Sequence, residues 1–569
     1  DKTDAGKSYV VFGKIDTIAV DLSNMGTGGF VINGENKDDQ SGHSVSSAGD
    51  VNGDGLDDLI IGAPITGLEF SGNSYVVFGK ANTTDIDLSD VVTGMGGFVI
   101  NGGNVGDFSG YSVSSAGDVN GDGLDDLIIG ASRAKKEAGK TFVVFGKQDT
   151  TTVNLSDVAS GTGGFAINGE HIEEQSGWSV SSIYDINGDN LDDLVIGSSF
   201  IVKAYEDRKS RTYVVFGKKD DTDVVNLSDV ASGTGGFVII SEKIKDHGGY
   251  SVSSAGDVNG DGVDDLIIGA HSADNTGKSY VVFGKANTDA IDLSDIAAGT
   301  GGFAINGEAE DAKDDSGFSV SSAGDVNGDG LDDLIIGTPR VDPNGDVTIA
   351  GKSHVVFGKT DTKTVYLADV SKGEGIAAHT IDFQGDTNTD NNDTLTGTSA
   401  DELFVAGLGN DVLRGNGGTD VFNAGAGDDT IIINDDNLAK LSSNTLSSDL
   451  LARVDGGGNT DTLKLEGGNL SLDLTNISSR RIQDIEIIDL TGSGNNILKL
   501  NLNDLLDISS STNVLKVIGN SGDKVDIELN ANDFTRGIVK TEAGIDYYIY
   551  SNINASTAKL WVDQDLDVI

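Results

Sequence analysis

One nine-residue acidic segment occurs five times, and its spacing limits what the chain can fold into. It reads DVNGDGLDD from Asp50, Asp118 and Asp325, DINGDNLDD from Asp185 and DVNGDGVDD from Asp257, with starts 67 to 72 residues apart. Every copy has the same sequence neighbourhood. SGxSVSSAGD leads into it, as from Ser109 to Asp118, and it runs into DLIIGA or a close variant, as from Asp126 to Ala131. GKxxVVFGK follows, as from Gly139 to Lys147, and GGFAING or a variant ends the unit, as from Gly163 to Gly169. These are short β-branched or aromatic runs punctuated by glycine, which reads as strands. Four short strands in one long repeat predict a β-propeller blade rather than a solenoid coil.

The acidic segment itself carries a metal's geometry. Oxygen side chains stand at positions 1, 3, 5 and 9, a backbone carbonyl is expected at 7, and glycine holds 6 where the chain must turn. Hard oxygen donors at that spacing suit calcium, as at the start of an EF-hand loop. An EF-hand needs Glu at position 12, whereas position 12 here is apolar, so the loop belongs to a strand-loop-strand unit closed by the ninth residue. The expected ligands are Asp50, Asn52, Asp54, Leu56 and Asp58; Asp118, Asn120, Asp122, Leu124 and Asp126; and Asp185, Asn187, Asp189, Leu191 and Asp193. Asp257, Asn259, Asp261, Val263 and Asp265 form the fourth set, and Asp325, Asn327, Asp329, Leu331 and Asp333 the fifth, giving about five Ca2+ ions. In the third copy Asn190 replaces the turn glycine, which weakens that site without removing it.

Composition narrows the function. Acidic residues number 91 against 38 basic ones, a net charge of −53, so nucleic acid and anionic membranes are excluded as electrostatic partners. With no Cys there are no disulfides, thiolate metal sites or Cys nucleophiles. No apolar run approaches a membrane span. The sequence DKTDAGKSYVVFGK at the start is not a signal peptide and opens inside a repeat, as a fragment or processed product would.

SVSSAGD is small and half-polar, as an innermost strand near a propeller axis should be, while DLIIGA and YVVFG are continuously apolar, as strands buried on both faces should be. An aromatic or His follows SG, or GG in the fourth copy: His43, Tyr111, Trp178, Tyr250 and Phe318, either packing between blades or forming a platform on which a ligand stacks. The order SGYSVSSAGDVNGDGLDDLIIGA…GKxxVVFG resembles the FG-GAP repeat of integrin α-subunit propellers. SG stands where that family has FG, and Gly62-Ala63-Pro64 keeps GAP. The resemblance covers roughly residues 1–385. It implies an all-β fold with five complete blades plus a half-blade from Ser8 to Gly34, and six or seven blades in an intact ring.

After Phe383 the pattern changes. Asp411, Asp420 and Asp429 recur every nine residues behind glycine-rich turns, which resembles the GGxGxDxUx nonapeptide of RTX proteins. That family forms a calcium-bound parallel β-roll with two nonapeptides per turn. The resemblance implies further Ca2+ ions held by Gly407, Gly409, Asp411, Asp420, Gly425, Gly427 and Asp429, with Leu413, Phe422 and Ile431 pointing inward. A degenerate unit, GGGNTD, ends at Asp461. A helix is expected over Asn437 to Val454. The expected domains are thus a propeller over 1–385, an RTX roll over 386–465 and a β-rich, secretion-associated domain over 466–569 whose end, WVDQDLDVI, resembles a signal for one-step (type I-like) export.

There is no HExxH, GxSxG, P-loop or dinucleotide fingerprint, and the six His are scattered, so no enzyme is expected in these residues. Comparing the copies locates recognition. The metal loops and LSDVASGTGG segments agree and are assigned to one face, whereas the second-to-third and fourth-to-first loops differ and are assigned to the other. The segment Phe200 to Arg211, with Lys203, Tyr205, Arg208, Lys209 and Arg211, mixes basic and apolar side chains as an interface anchor would. The resulting expectation is an extracellular, bacterial calcium-binding propeller for adhesion, with a surface protein or polysaccharide as ligand. The alternatives are a calcium-dependent lectin or the non-catalytic C-terminal part of a secreted enzyme.

Overall fold

The computed structural model describes residues 4–13, 19–66, 70–187, 189, 191–198, 208–219, 222–308, 314–327, 329–340, 350–372, 381–385, 391–443, 450–478, 481–509, 513–527, 534–552 and 558–569. A half-blade comes first, Lys7–Val11 paired with Gly29–Asn33. Four complete antiparallel blades follow. The first of them runs Ser44–Gly49, Asp58–Ala63, Asn73–Val77, Gly97–Asn101, and its counterparts begin at Ser112, Ser179 and Ser251. The last blade has three described strands, Ser319–Gly324, Asp333–Thr338 and Lys352–Val356. Four blades are thus complete among the described residues; the segment after Lys372 that would hold the fourth strand of the last expected blade, residues 373–380, lies outside them, and Phe383–Gln384 pairs with the roll.

The middle strands behave as their composition demands. Every residue of Asp126–Ala131 is buried, and so is every residue of Asp265–Ala270, because each blade is sandwiched between two others. Where no blade covers a face, the same residues are open. Val45 is 59% exposed whereas Val113, its equivalent one blade on, is 7% exposed. Ile335 and Val355 of the last blade are likewise open.

The LSDVASGTGG segments join the third strand of a blade to the fourth, as between Lys140–Val144 and Gly164–Asn168. The two residues just before each segment form a short strand that pairs in parallel with the fourth strand of the preceding blade, as Val153–Asn154 does with Gly97–Asn101. A one-turn helix follows, such as Leu155–Val158, burying its Leu and Val. Each complete blade therefore carries a fifth strand lent by its successor.

Beyond the propeller the strands stack in parallel. Leu403↔Val421 and Val412↔Thr430 are in register 18 residues apart, as two nonapeptides per turn require. Phe383, Phe404 and Phe422 stack in a column with centroids 4.9 Å apart. A nine-stranded sheet runs from Thr394–Thr396 through Thr462–Leu465 and Ile487–Asp489 to the hairpin Phe534–Glu542/Ile545–Asn552, so it passes through the boundary expected at 465/466. One core, from Phe404 to Leu566, lies inside it. The expected long helix is short, Asp435–Leu441, and Val454 is in a strand. No helix among the described residues is long and apolar enough to cross a membrane.

Candidate metal centres

Each acidic loop joins the first strand of a blade to its second, so the ladder fixes both ends. The Asp50 carboxylate accepts from the N–H groups of Gly53, Asp54 and Gly55 at 2.7, 3.0 and 2.8 Å, and the loop folds around it. Asp54 accepts from Leu56 N–H at 3.0 Å. Asp58, fully buried at the start of the second strand, accepts from Val51 N–H at 3.1 Å, Gly79 N–H at 2.8 Å and the Asn52 amide at 3.2 Å. The expected closing residue therefore points into the loop.

The arrangement repeats around Asp118, Asn120, Asp122 and Asp126, and around Asp257, Asn259, Asp261 and Asp265. In the third loop Asp185, Asn187, Asp189 and Asp193 keep it, while Asn190 lies outside the described residues. The fifth loop departs. Asn327 turns its side-chain oxygen to the Asp329 N–H at 2.9 Å, and its amide nitrogen is buried without a partner.

Burial pushes the ninth-position carboxyls up, to about 7 at Asp58 and Asp333, to about 8 at Asp193, and well above the usual range at Asp126 and Asp265. The carboxylates at positions 1 and 5 add to the shift by repulsion. A buried ninth-position carboxylate with two more carboxylates beside it calls for a counter-charge, and the oxygen donors present suit a hard divalent cation.

The eighth residue, which sequence reasoning left without a role, latches blades together. Asp125 accepts from Asp50 N–H at 2.7 Å, Asp192 from Asp118 N–H at 2.7 Å and Asp332 from Asp257 N–H at 2.9 Å. Each carboxylate sits against a left-handed glycine of the preceding blade, Gly49 in the first case, where a Cβ would lie 2.2 Å from the Asp125 carboxyl oxygen. The repeated DD pair was its sequence signal.

In the roll, one column of aspartates lines one edge. Asp411 accepts from Asp393 N–H at 2.7 Å, Asp429 from Asp411 N–H at 2.6 Å and Asp461 from Asp429 N–H at 2.8 Å. The other carboxylate oxygen of all three is buried with no partner. Glycine turns stack beside them; a Cβ on Gly425 would meet the Gly407 carbonyl at 2.2 Å and one on Gly427 the Gly409 carbonyl at 1.9 Å. Buried, half-satisfied carboxylates beside a column of carbonyls fit calcium. Asp461 was missing from the expected ligands because its unit is degenerate. Asp420 lies on the opposite edge, its oxygens taken by Glu402 N–H at 3.1 Å and the Asn437 amide at 2.8 Å.

The roll sits against the metal-loop end of the propeller. Arg453 lies 3.6 Å from Asp325, the Asn513 amide is 3.4 Å from Asp50, and Leu451 packs on Gly330. Arg481 is 2% exposed; burial lowers its guanidinium to about 10 against the pull of Asp257.

At the far end the five side chains after SG or GG form a collar. Ring centroids are 4.6 Å apart for His43 and Tyr111, 4.7 Å for Tyr111 and Trp178, 5.6 Å for Trp178 and Tyr250, and 5.1 Å for Tyr250 and Phe318. They pack blade on blade and remain partly open. Of the expected basic anchor, Arg211 is ion-paired with Glu170 and Lys209 with Asp292 at 2.8 Å, while Phe200, Lys203 and Tyr205 lie outside the described residues.

Comparison with known proteins agrees with this geometry. Residues 41–77, 109–144, 248–282 and 316–356 match the FG-GAP repeat, and residues 396–431 match the RTX calcium-binding nonapeptide repeat. The chain is similar to integrin alpha pat-2 of Caenorhabditis elegans, at 26% identity over 272 residues, covering 46% of this chain and 20% of that protein. It is also similar to integrin alpha-V of Gallus gallus, at 28% over 240 residues, 41% of this chain and 20% of that one. Integrin alpha-PS2 of Drosophila melanogaster matches at 26% over 260 residues, 42% of this chain and 16% of that one. The chain thus spans about a fifth of the length of these relatives.

Proposed function

We propose that this chain, which carries FG-GAP and RTX calcium-binding repeats, is an extracellular adhesion module that binds a surface protein or polysaccharide through the collar end of its propeller. The observation that carries the reading is the asymmetry of the two ends. The metal-loop end has nearly the same residues in every copy and meets the roll at Asp50, Asp325 and Gly330, while the other end bears the loops that differ between copies around a partly open aromatic collar. Scaffold on one side and variation on the other is how rigid repeat folds present a binding surface.

Calcium's part is structural. The propeller loops would hold one ion each through Asp50, Asp118, Asp185, Asp257 and Asp325 and their partners, including the carbonyls of Leu56, Leu124, Leu191, Val263 and Leu331. The roll would hold others through Asp411, Asp429 and the turn carbonyls of Gly407, Gly409, Gly425 and Gly427. The ions supply the positive charge that these clustered carboxylates need.

The test is capture of the purified chain on arrays of matrix proteins and glycans, in calcium and in chelator. Trp178→Ala and Tyr111→Ala should lower capture at least tenfold, whereas Leu56→Ala, at the metal-loop end, should not. Capture insensitive to both collar variants would overturn the reading. The lectin alternative is favoured by the same half-open rings, since aromatic faces stack on sugars; glycan-only capture would select it.

A further inference from the structure

We propose that Glu170, His171 and Glu174 form a binding site for one divalent transition-metal ion of the zinc class, apart from the all-oxygen calcium loops. These three residues lie in the turn that follows the strand Gly164–Asn168, and their donor atoms all fall within 4.8 Å of one another. His171 Nε2 is 3.4 Å from Glu170 Oε1. Two ligands about 2.0–2.1 Å from one tetrahedral ion are separated by roughly 3.3–3.4 Å, so the pair is spaced as neighbouring ligands are.

The carboxylates are already oriented by their surroundings. The Tyr213 hydroxyl lies 2.8 Å from both Glu170 Oε2 and Glu174 Oε1. Arg211 engages Glu170 through Oε2, which leaves Oε1 on the His171 side. Such outer contacts are what hold metal-ligating carboxylates in place. Glu174 is fully buried, and the site is short of donors: the one Tyr213 hydroxyl proton cannot serve both carboxylate oxygens that lie 2.8 Å from it. A cation meets that shortage.

The other copies of the turn separate scaffold from addition. Asp39 accepts from Asn36 N–H at 3.0 Å, Asp107 from Asn104 N–H at 3.1 Å, Asp246 from Lys243 N–H at 2.8 Å, and Glu174 from His171 N–H at 3.1 Å. The acid's role as a turn cap is therefore common to four copies. At the position of His171 the other three have Asn36, Asn104 and Lys243, and only where that position is an imidazole is the acid the longer Glu. Imidazole plus carboxylate is a donor set for zinc-class ions rather than calcium. An ion here would pin the turn that carries Trp178 into the collar.

The test uses the untagged full chain, saturated with calcium and then titrated with Zn2+ by calorimetry and with Co2+ by visible absorption. One Zn2+ equivalent should bind at micromolar or tighter dissociation constant, and Co2+ should give the intense visible bands of a tetrahedral site. His171→Asn, which restores the residue of two other copies and so keeps the turn, should weaken binding at least tenfold with the melting temperature unchanged. Glu174→Gln should do the same if it folds. Equal Zn2+ binding by wild type and His171→Asn, or no binding by wild type below about 100 µM, would overturn the proposal.

Discussion

Adjacent aspartates in the repeated DD pair have different work, and substitution should separate them. Asp126→Ala removes a carboxylate from the cluster and should lower the calcium stoichiometry by one. Asp125→Ala instead strands the Asp50 N–H. It should leave the stoichiometry intact and cost about 1–3 kcal/mol, measured by denaturant unfolding in calcium. The carboxyls also predict a pH response. In chelator, Asp58, Asp257 and Asp333 stand at about 7 and Asp193 at about 8, against about 4 when unfolded. The folded state then binds more protons than the unfolded one between those values, so stability falls as pH rises through them. The chelated protein should melt higher at pH 5 than at pH 8. Calcium, which selects the ionised form, should remove or reverse that difference. Equal chelated melting temperatures at the two pH values would contradict the buried carboxyl clusters.

Among the elements, the roll is built on close stacking, and two glycines test it. Gly427 has a left-handed φ of 145° with a carbonyl 1.9 Å from where its Cβ would be, whereas Gly544, at φ 86°, has open space around it. Gly544→Ala should cost about 1–2 kcal/mol from backbone strain alone. Gly427→Ala should cost clearly more, because a turn of the roll must also move. In the aromatic column, Phe422→Ala should cost about 3–5 kcal/mol by leaving a cavity between Phe404 and the next turn. The two-residue lent strands are a device of the same scale. They were illegible in the dipeptides before LSDVASGTGG because two residues carry no periodicity, and their pairing partner lies in the preceding blade.

For the whole molecule, charge decides when folding occurs. With 91 acidic and 38 basic residues and carboxylates gathered in loops and roll, the chain should be largely unfolded at pH 8 without divalent ions and fold when they bind. Circular dichroism and thermal melting in calcium and in chelator measure this directly; a chelated protein with an unchanged β signal and melting temperature would refute it. Arg453 and Arg481 should hold the roll to the propeller. The double alanine variant should show a larger radius of gyration by small-angle scattering and new protease cleavage between the two parts, and an unchanged profile would mean that packing around Leu451 suffices.

The sequence by itself determined the local chemistry. The metal loops, the blade strands, the 18-residue turn of the roll and its inward Leu413, Phe422 and Ile431 all follow from short-range patterns: donor spacing, glycine at turns, and alternation of apolar residues. Tertiary structure decided what depends on neighbours distant in the chain. Asp125 acts as a latch because the next blade brings it to Asp50, and Asp461 joins the aspartate column because an interrupted turn still stacks. Arg211 pairs with Glu170 because the fold brings that carboxylate to face it. The tail continues one sheet rather than starting another domain, because a parallel ladder propagates wherever the next strand offers apolar side chains to the same core, whatever happens to the glycine-rich code between them.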